Sequence, residues 1–141
     1  MIVTSAIAYA VTLLVFVALD MVWLSWVGGP IYRQVLADIL TPNVRLEPAL
    51  LFYLIYPLGL MVFAVHPAIN GGTVLSALLM GALFGFFTYV TYDLTNFATL
   101  KSWTLGVTLM DIAWGSFLGA ISAATAARFG PSIASWFGAG A

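Results

Sequence analysis

Three aspartates, Asp20, Asp93 and Asp111, interrupt long apolar runs in this chain. A carboxylate among aliphatic residues costs free energy unless it is paired, protonated or bound to a ligand, so these three are the first candidates for chemistry. Tyr53, Tyr56, Tyr89 and Tyr92 occur in similar surroundings, and Asn96 follows Asp93 by one helical turn. Asp93 and Asp111, brought together in a low-dielectric interior, could not both ionise cheaply. They would share a proton and act as a general acid–base pair or a proton site. Other chemistries are poorly supplied. Cysteine is absent, which removes thiol nucleophiles, thiolate metal sites and disulfides. His66 is the one histidine, so a bis-histidine haem within one chain is excluded, and neither a metal nor a cofactor is expected. With His66 expected at the face opposite the acids, no Ser-His-Asp constellation can be assembled, and no glycine-rich phosphate loop is present.

The elements that position these groups follow from composition. Of 141 residues, 63% are hydrophobic and 6% charged, against roughly 25% charged in a soluble domain. Mean hydropathy is +1.10. Nine formal charges cannot cover a water-soluble globule of this size, so the chain is an integral membrane protein. A net charge of -1 without a basic run argues against nucleic acid and a polybasic lipid anchor.

Four segments reach the roughly 17–25 residues a helix needs to cross the hydrocarbon core: about Ile2–Val27, Pro48–His66, Thr73–Ala98 and Trp103–Phe129. The first lacks the charged start and small-residue cleavage site of a leader and reads as a span. Backbone groups in lipid must be satisfied internally, so the expected fold is all-α: one transmembrane domain, a four-helix bundle. Gly28-Gly29-Pro30 separates the first span from a short amphipathic helix over about 30–40. Ile31, Tyr32, Val35, Leu36, Ile39 and Leu40 form its apolar side, and Arg33, Gln34 and Asp38 the other. Too short to span, it is expected in the headgroup plane. Arg33, Arg45 and Lys101 fall in the first and third loops and Arg128 on the side of the termini. This bias puts the loops in the cytoplasm and the termini in the periplasm of a bacterial inner membrane.

Depth follows from a rise of 1.5 Å per residue. Asp20 lies about 10 Å before Val27, Asp93 about 7 Å before Ala98, and Asp111 about 12 Å after Trp103. Because helix direction alternates, all three reach similar depth below one face, together with Tyr53, Tyr56 and Tyr92, and with Tyr89 somewhat deeper. Pro57, mid-helix, leaves the carbonyl of Tyr53 without its usual donor in the same layer. In the opposite half of the bilayer, Ala77, Gly81 and Gly85 recur every four residues, as do Gly115, Gly119, Ala123 and Ala127. Such ridges permit close helix approach in lipid. The third and fourth spans should therefore be tight at the glycine end and spread at the acidic end, forming a wedge. Asp20/Trp23 and Asp111/Trp114 share the spacing Asp-x-x-Trp, read as packing and interface anchoring.

The string Gly81-Ala-Leu-Phe-Gly-Phe-Phe-Thr-Tyr-Val-Thr-Tyr-Asp-Leu-Thr-Asn96, followed by Lys101-Ser-Trp103 and Asp111-Ile-Ala-Trp-Gly115, resembles the bacterial domain of unknown function 2177 family. Asp20-Met-Val-Trp-Leu24 and Phe52-Tyr-Leu-Ile-Tyr-Pro57 look like its first two spans, so the resemblance covers nearly the whole chain. It implies a four-span membrane protein with no assigned activity or site residues, and it tilts the reading towards lipid.

Three function classes fit. The first is binding or modification of a lipid or other amphiphile in the wedge, with Asp20, Asp93, Asp111, Tyr53, Tyr56, Tyr92 and Asn96 as ligand or proton site. Asp93 and Asp111 are the catalytic candidates if bonds are made. The second is an accessory subunit of a larger membrane complex. The third is a small proton-coupled transporter, which acids near one face rather than at the midplane fit less well. Membrane lipids are the expected partners, with self-association or a larger complex as alternatives.

Overall fold

The computed structural model describes residues 1–138. Helix α1 spans Ile2–Trp26, α2 Gly28–Val35, α3 Leu46–Leu60, α4 His66–Ile69, α5 Val74–Thr99 and α6 Leu105–Trp136. A π-helical segment, Met61–Val65, joins α3 to α4, so Leu46–Ile69 runs as one helical rod. It follows Pro57, whose missing N–H breaks the regular ladder one turn earlier. Four helical stretches are long and apolar enough to cross a membrane: α1, the α3–α4 rod, α5 and α6. No strand occurs among the described residues.

Helix ends follow local chemistry. The Thr73 hydroxyl accepts the Ser76 N–H at 3.0 Å, and the Ser76 hydroxyl accepts the Thr73 N–H at 2.9 Å, a reciprocal cap that starts α5. Gly71 supplies the positive φ of 115° in the preceding turn. The Thr104 hydroxyl caps α6 through the N–H of Val107. Two segments differ from expectation. The amphipathic helix stops at Val35 instead of near Leu40. Ile39 and Leu40 are exposed, because nothing packs on them once the chain turns. The fourth span continues past Phe129 to Trp136, with Pro131 inside it.

Helix α6 is central, packed along α5 on one side and α1 on the other. Helix α3 leans on α1, whereas the π segment below it packs against α5. The upper part of α3 therefore stands away from α5, and the lower part closes the ring. The glycine ridges account for the tight α5–α6 contact. A Cβ on Gly85 would overlap the carbonyl oxygen of Gly115, and Gly81 and Gly119 would each strike the other's carbonyl. Ala77, Gly81, Gly85, Gly115, Gly119 and Ala123 are all buried. Ala127 is half-buried and Ala126 takes the inward position, because 3.6 residues per turn rotates a strict four-residue stripe off the contact. Beside the ridges, Ala8, Ala64, Val65 and Ala68 join Ala77, Ala123 and Ala126 in a core of small side chains.

Candidate functional site

At the other end the bundle holds polar groups. Asp20, Asp93 and Asp111 are 6%, 0% and 2% exposed. Each is supplied by a different helix, and none of the groups acting on them is cationic. The Tyr53 hydroxyl, on α3, donates to Asp20 Oδ2 at 2.6 Å. Asp111 Oδ1 accepts from the hydroxyl of Tyr32, which in turn accepts from the indole N–H of Trp23 at 3.1 Å. Hydrogen bonds to a charged acceptor contribute roughly 1.5–3 kcal/mol each, comparable to the cost of a carboxylate within a span.

Tyr32 reaches Asp111 because α2 folds back over the end of α1. Gly28 makes that possible: a Cβ there would overlap the Trp23 indole. Burial, and then the neighbouring Asp111 carboxylate, push the Tyr32 phenol well above its ordinary value of 10.0. Beneath α2, the rings of Trp23 and Trp114 stack at 4.6 Å and 5°, joining α1 to α6. The two Asp-x-x-Trp pairs thus meet through their tryptophans, an arrangement worth about 0.5–1.5 kcal/mol beyond burial.

Asp93 differs from the other two acids. Neither of its oxygens receives a hydrogen bond, both are sealed from solvent, and the group facing them is Asp111. A buried carboxyl with no donor and no cation is satisfied when it carries a proton and donates it, and Asp111 is the acceptor within its field. Asp93 stands behind Asp111 and does not line the adjacent cavity.

That cavity, of about 400 Å³, lies under α2 between α1, α3, α5 and α6. Asp20 and Asp111 form its polar floor, and Tyr32, Tyr53, Tyr56, Tyr89 and Tyr92 stand around it. Asp20 Oδ1 and Asp111 Oδ2 are not sealed, and both residues line the cavity. The Tyr89 ring lies over Gly115, which has no side chain to displace it. No basic side chain lines the space. A second, apolar groove of about 420 Å³ lies beside it between α3 and α5, sharing Phe52 and Tyr56 and running down past Gly59 to Phe63.

The structure thus brings Asp20, Asp111, Tyr53, Tyr56 and Tyr92 to one cavity, with Asp93 against Asp111. Some partners differ from those expected. The Tyr56 hydroxyl meets Thr88 Oγ1 at 3.0 Å and bonds to no acid. Since Thr88 already donates to the Phe84 carbonyl at 2.9 Å, Tyr56 is the donor. Tyr92 is 51% exposed and packs edge-on against Trp103 at 5.6 Å. Asn96 is half-buried outside the cavity, since one turn beyond Asp93 α5 has left the packed region. Tyr32, which the sequence places only on an apolar face, is the further residue that bonds Asp111 and lines the cavity. Its signal was a phenol alone among aliphatic residues on a helix lying over the acids. Among the described residues no acidic or histidine cluster could hold a metal ion.

No curated protein and no solved structure matches this chain. The predicted membrane protein family DUF2177 matches residues 5–128, and the chain belongs to that family.

Proposed function

We propose that the protein binds the polar end of a lipid or similar amphiphile in the cavity beneath α2, with an acyl chain in the groove between α3 and α5. The observation carrying this reading is the adjacency of the two spaces: the cavity lined by Asp20 and Asp111 shares Phe52 and Tyr56 with an apolar groove between α3 and α5. From Phe52 to Phe63 the groove follows about 16 Å of helix. That is close to one leaflet, half of the roughly 30 Å hydrocarbon core. A soluble ligand would have no use for the groove, and a passive subunit would have no use for carboxylates lining a cavity. Arg33, Arg45 and Lys101 on one side against Arg128 on the other orient the acidic end towards the cytoplasm of a bacterial inner membrane.

Photoreactive lipid incorporated during growth tests this. Cross-links are expected to concentrate on peptides containing Phe52–Phe63 and Phe84–Thr91, above those on lipid-facing residues such as Leu14 and Leu109. An even distribution over all outward faces sinks the reading and favours an accessory role in a larger complex.

A further inference from the structure

The cavity's polar chemistry is one-sided. Its floor offers carboxylate oxygens, its walls offer phenols and the Trp23 indole, and no cation lines it. Phenolic donors satisfy one oxygen each of Asp20 and Asp111; their other oxygens, Oδ1 and Oδ2 respectively, are not sealed, and both residues line the cavity. Asp93, fully buried and without a donor, adds a third carboxyl directed at Asp111. A group that completes this arrangement carries positive charge and several N–H donors, and aromatic faces favour a cation further. An anionic head would be repelled, and a neutral alcohol would leave the charge uncompensated.

The surroundings add a second requirement. Arg33 and Arg45 line a wider recess of about 840 Å³, and this recess shares Leu24 and Tyr32 with the acidic cavity. The Arg33 Nε–H donates to the Gly29 carbonyl at 3.2 Å, which leaves its other donors free. Cationic and anionic subsites thus stand on either side of Tyr32.

Building on the amphiphile reading, we propose that this site selects phospholipids whose headgroup ends in a primary amine, with the ammonium between Asp20 and Asp111 and the phosphate at Arg33 and Arg45. Trimethylation of the nitrogen keeps the charge but removes every N–H donor, so the carboxylate oxygens then lose their hydrogen bonds while the aromatic contacts survive.

The test uses the wild-type protein in mild detergent, with bound lipid read by native mass spectrometry. Phosphatidylethanolamine, its mono- and dimethyl derivatives, phosphatidylcholine and phosphatidylglycerol are supplied at equal concentration. Retention is expected to fall stepwise with methylation, by about a hundredfold overall, about tenfold for each of the two charge-assisted hydrogen bonds lost, with phosphatidylglycerol lowest. Asp20→Asn, which keeps an acceptor for Tyr53, should flatten that series. Arg45→Gln should lower retention of the phospholipids without altering their methylation ratio. Free ethanolamine competing as well as the lipid would assign the site to soluble amines and overturn the lipid specificity. Equal retention of all headgroups overturns the amine assignment while leaving the amphiphile reading intact. Failure to retain any lipid overturns both.

Discussion

The two halves of this bundle solve the same problem, helix association without a hydrophobic driving force, in opposite ways. In the glycine half, α5 and α6 meet backbone to backbone. Gly81 and Gly85 lie against the carbonyls of Gly119 and Gly115 with no room for a side chain. In the acidic half α3 stands away from α5, and long side chains join the other helices: Tyr53 to Asp20, Tyr32 to Asp111, Trp23 onto Trp114. Van der Waals contact between small residues is dense and tolerates nothing added. Hydrogen bonds across a gap are directional, and they leave space a ligand can occupy. The tight half acts as a clamp, so the open half need not collapse.

The largest effect is expected where the clamp is forced. Gly85→Leu drives a branched side chain into the Gly115 carbonyl, and α5 cannot withdraw without losing the Gly81–Gly119 contact. A destabilisation of about 3 kcal/mol or more is expected, at the upper end of overpacking. It would be measured as thermal unfolding in detergent and as membrane abundance. Leu79→Ala, on a residue 54% exposed on the same helix, should shift stability far less, because lipid replaces the lost contacts. Equal behaviour of the two variants would break the contrast between the halves.

A smaller effect belongs to the bridge. Tyr32→Phe keeps the ring but removes the donor to Asp111 and the acceptor of the Trp23 indole N–H, for an expected cost of roughly 1–3 kcal/mol. Its pH dependence has a definite sign. Folding raises the phenol above its ordinary 10.0, so above that pH the folded state binds more protons than the unfolded state. The stability difference between wild type and Tyr32→Phe should therefore be constant up to about pH 10 and shrink above it. In ultraviolet titration the wild type should hold back one phenolate that the variant lacks. A difference that grows with alkalinity would contradict the Tyr32–Asp111 bridge.

The clamp was more legible in the sequence than the bridge. Small residues every four positions have one strong structural meaning in an apolar helix, so Gly81, Gly85, Gly115 and Gly119 could be placed on facing sides from spacing alone. Depth arithmetic likewise set Asp20, Asp93 and Asp111 in one layer, because rise per residue and alternating direction need no tertiary knowledge. Rotation about each helix axis was not legible. Asn96 shares the layer with Asp93 yet lies outside the cavity, Tyr92 lines it with half its surface exposed, and Tyr56 reaches Thr88 instead of an acid. Tyr32 was harder still, since its helix lies across the bundle and only the fold-back permitted by Gly28 aims it at Asp111.

The smallest effect concerns Asp93, and there the sign of the result decides. If Asp93 is a neutral acid donating to Asp111, Asp93→Asn replaces one uncharged donor with another of nearly equal size. The stability change should then stay within about 0.5 kcal/mol, as for a substitution that breaks no named interaction. If Asp93 instead carried a charge, the amide would remove a sealed carboxylate that has no donor and faces another acid, and the protein would become clearly more stable. Asp93→Leu separates shape from hydrogen bonding. It fills similar space but cannot donate, so it should cost more than Asp93→Asn, because Asp111 loses the proton that Asp93 shares with it. Thermal unfolding of the three proteins at one pH measures all of this. A clear gain in stability for Asp93→Asn would show two charged carboxylates face to face. Repulsion between α5 and α6 would then add to the bridges in shaping the open half.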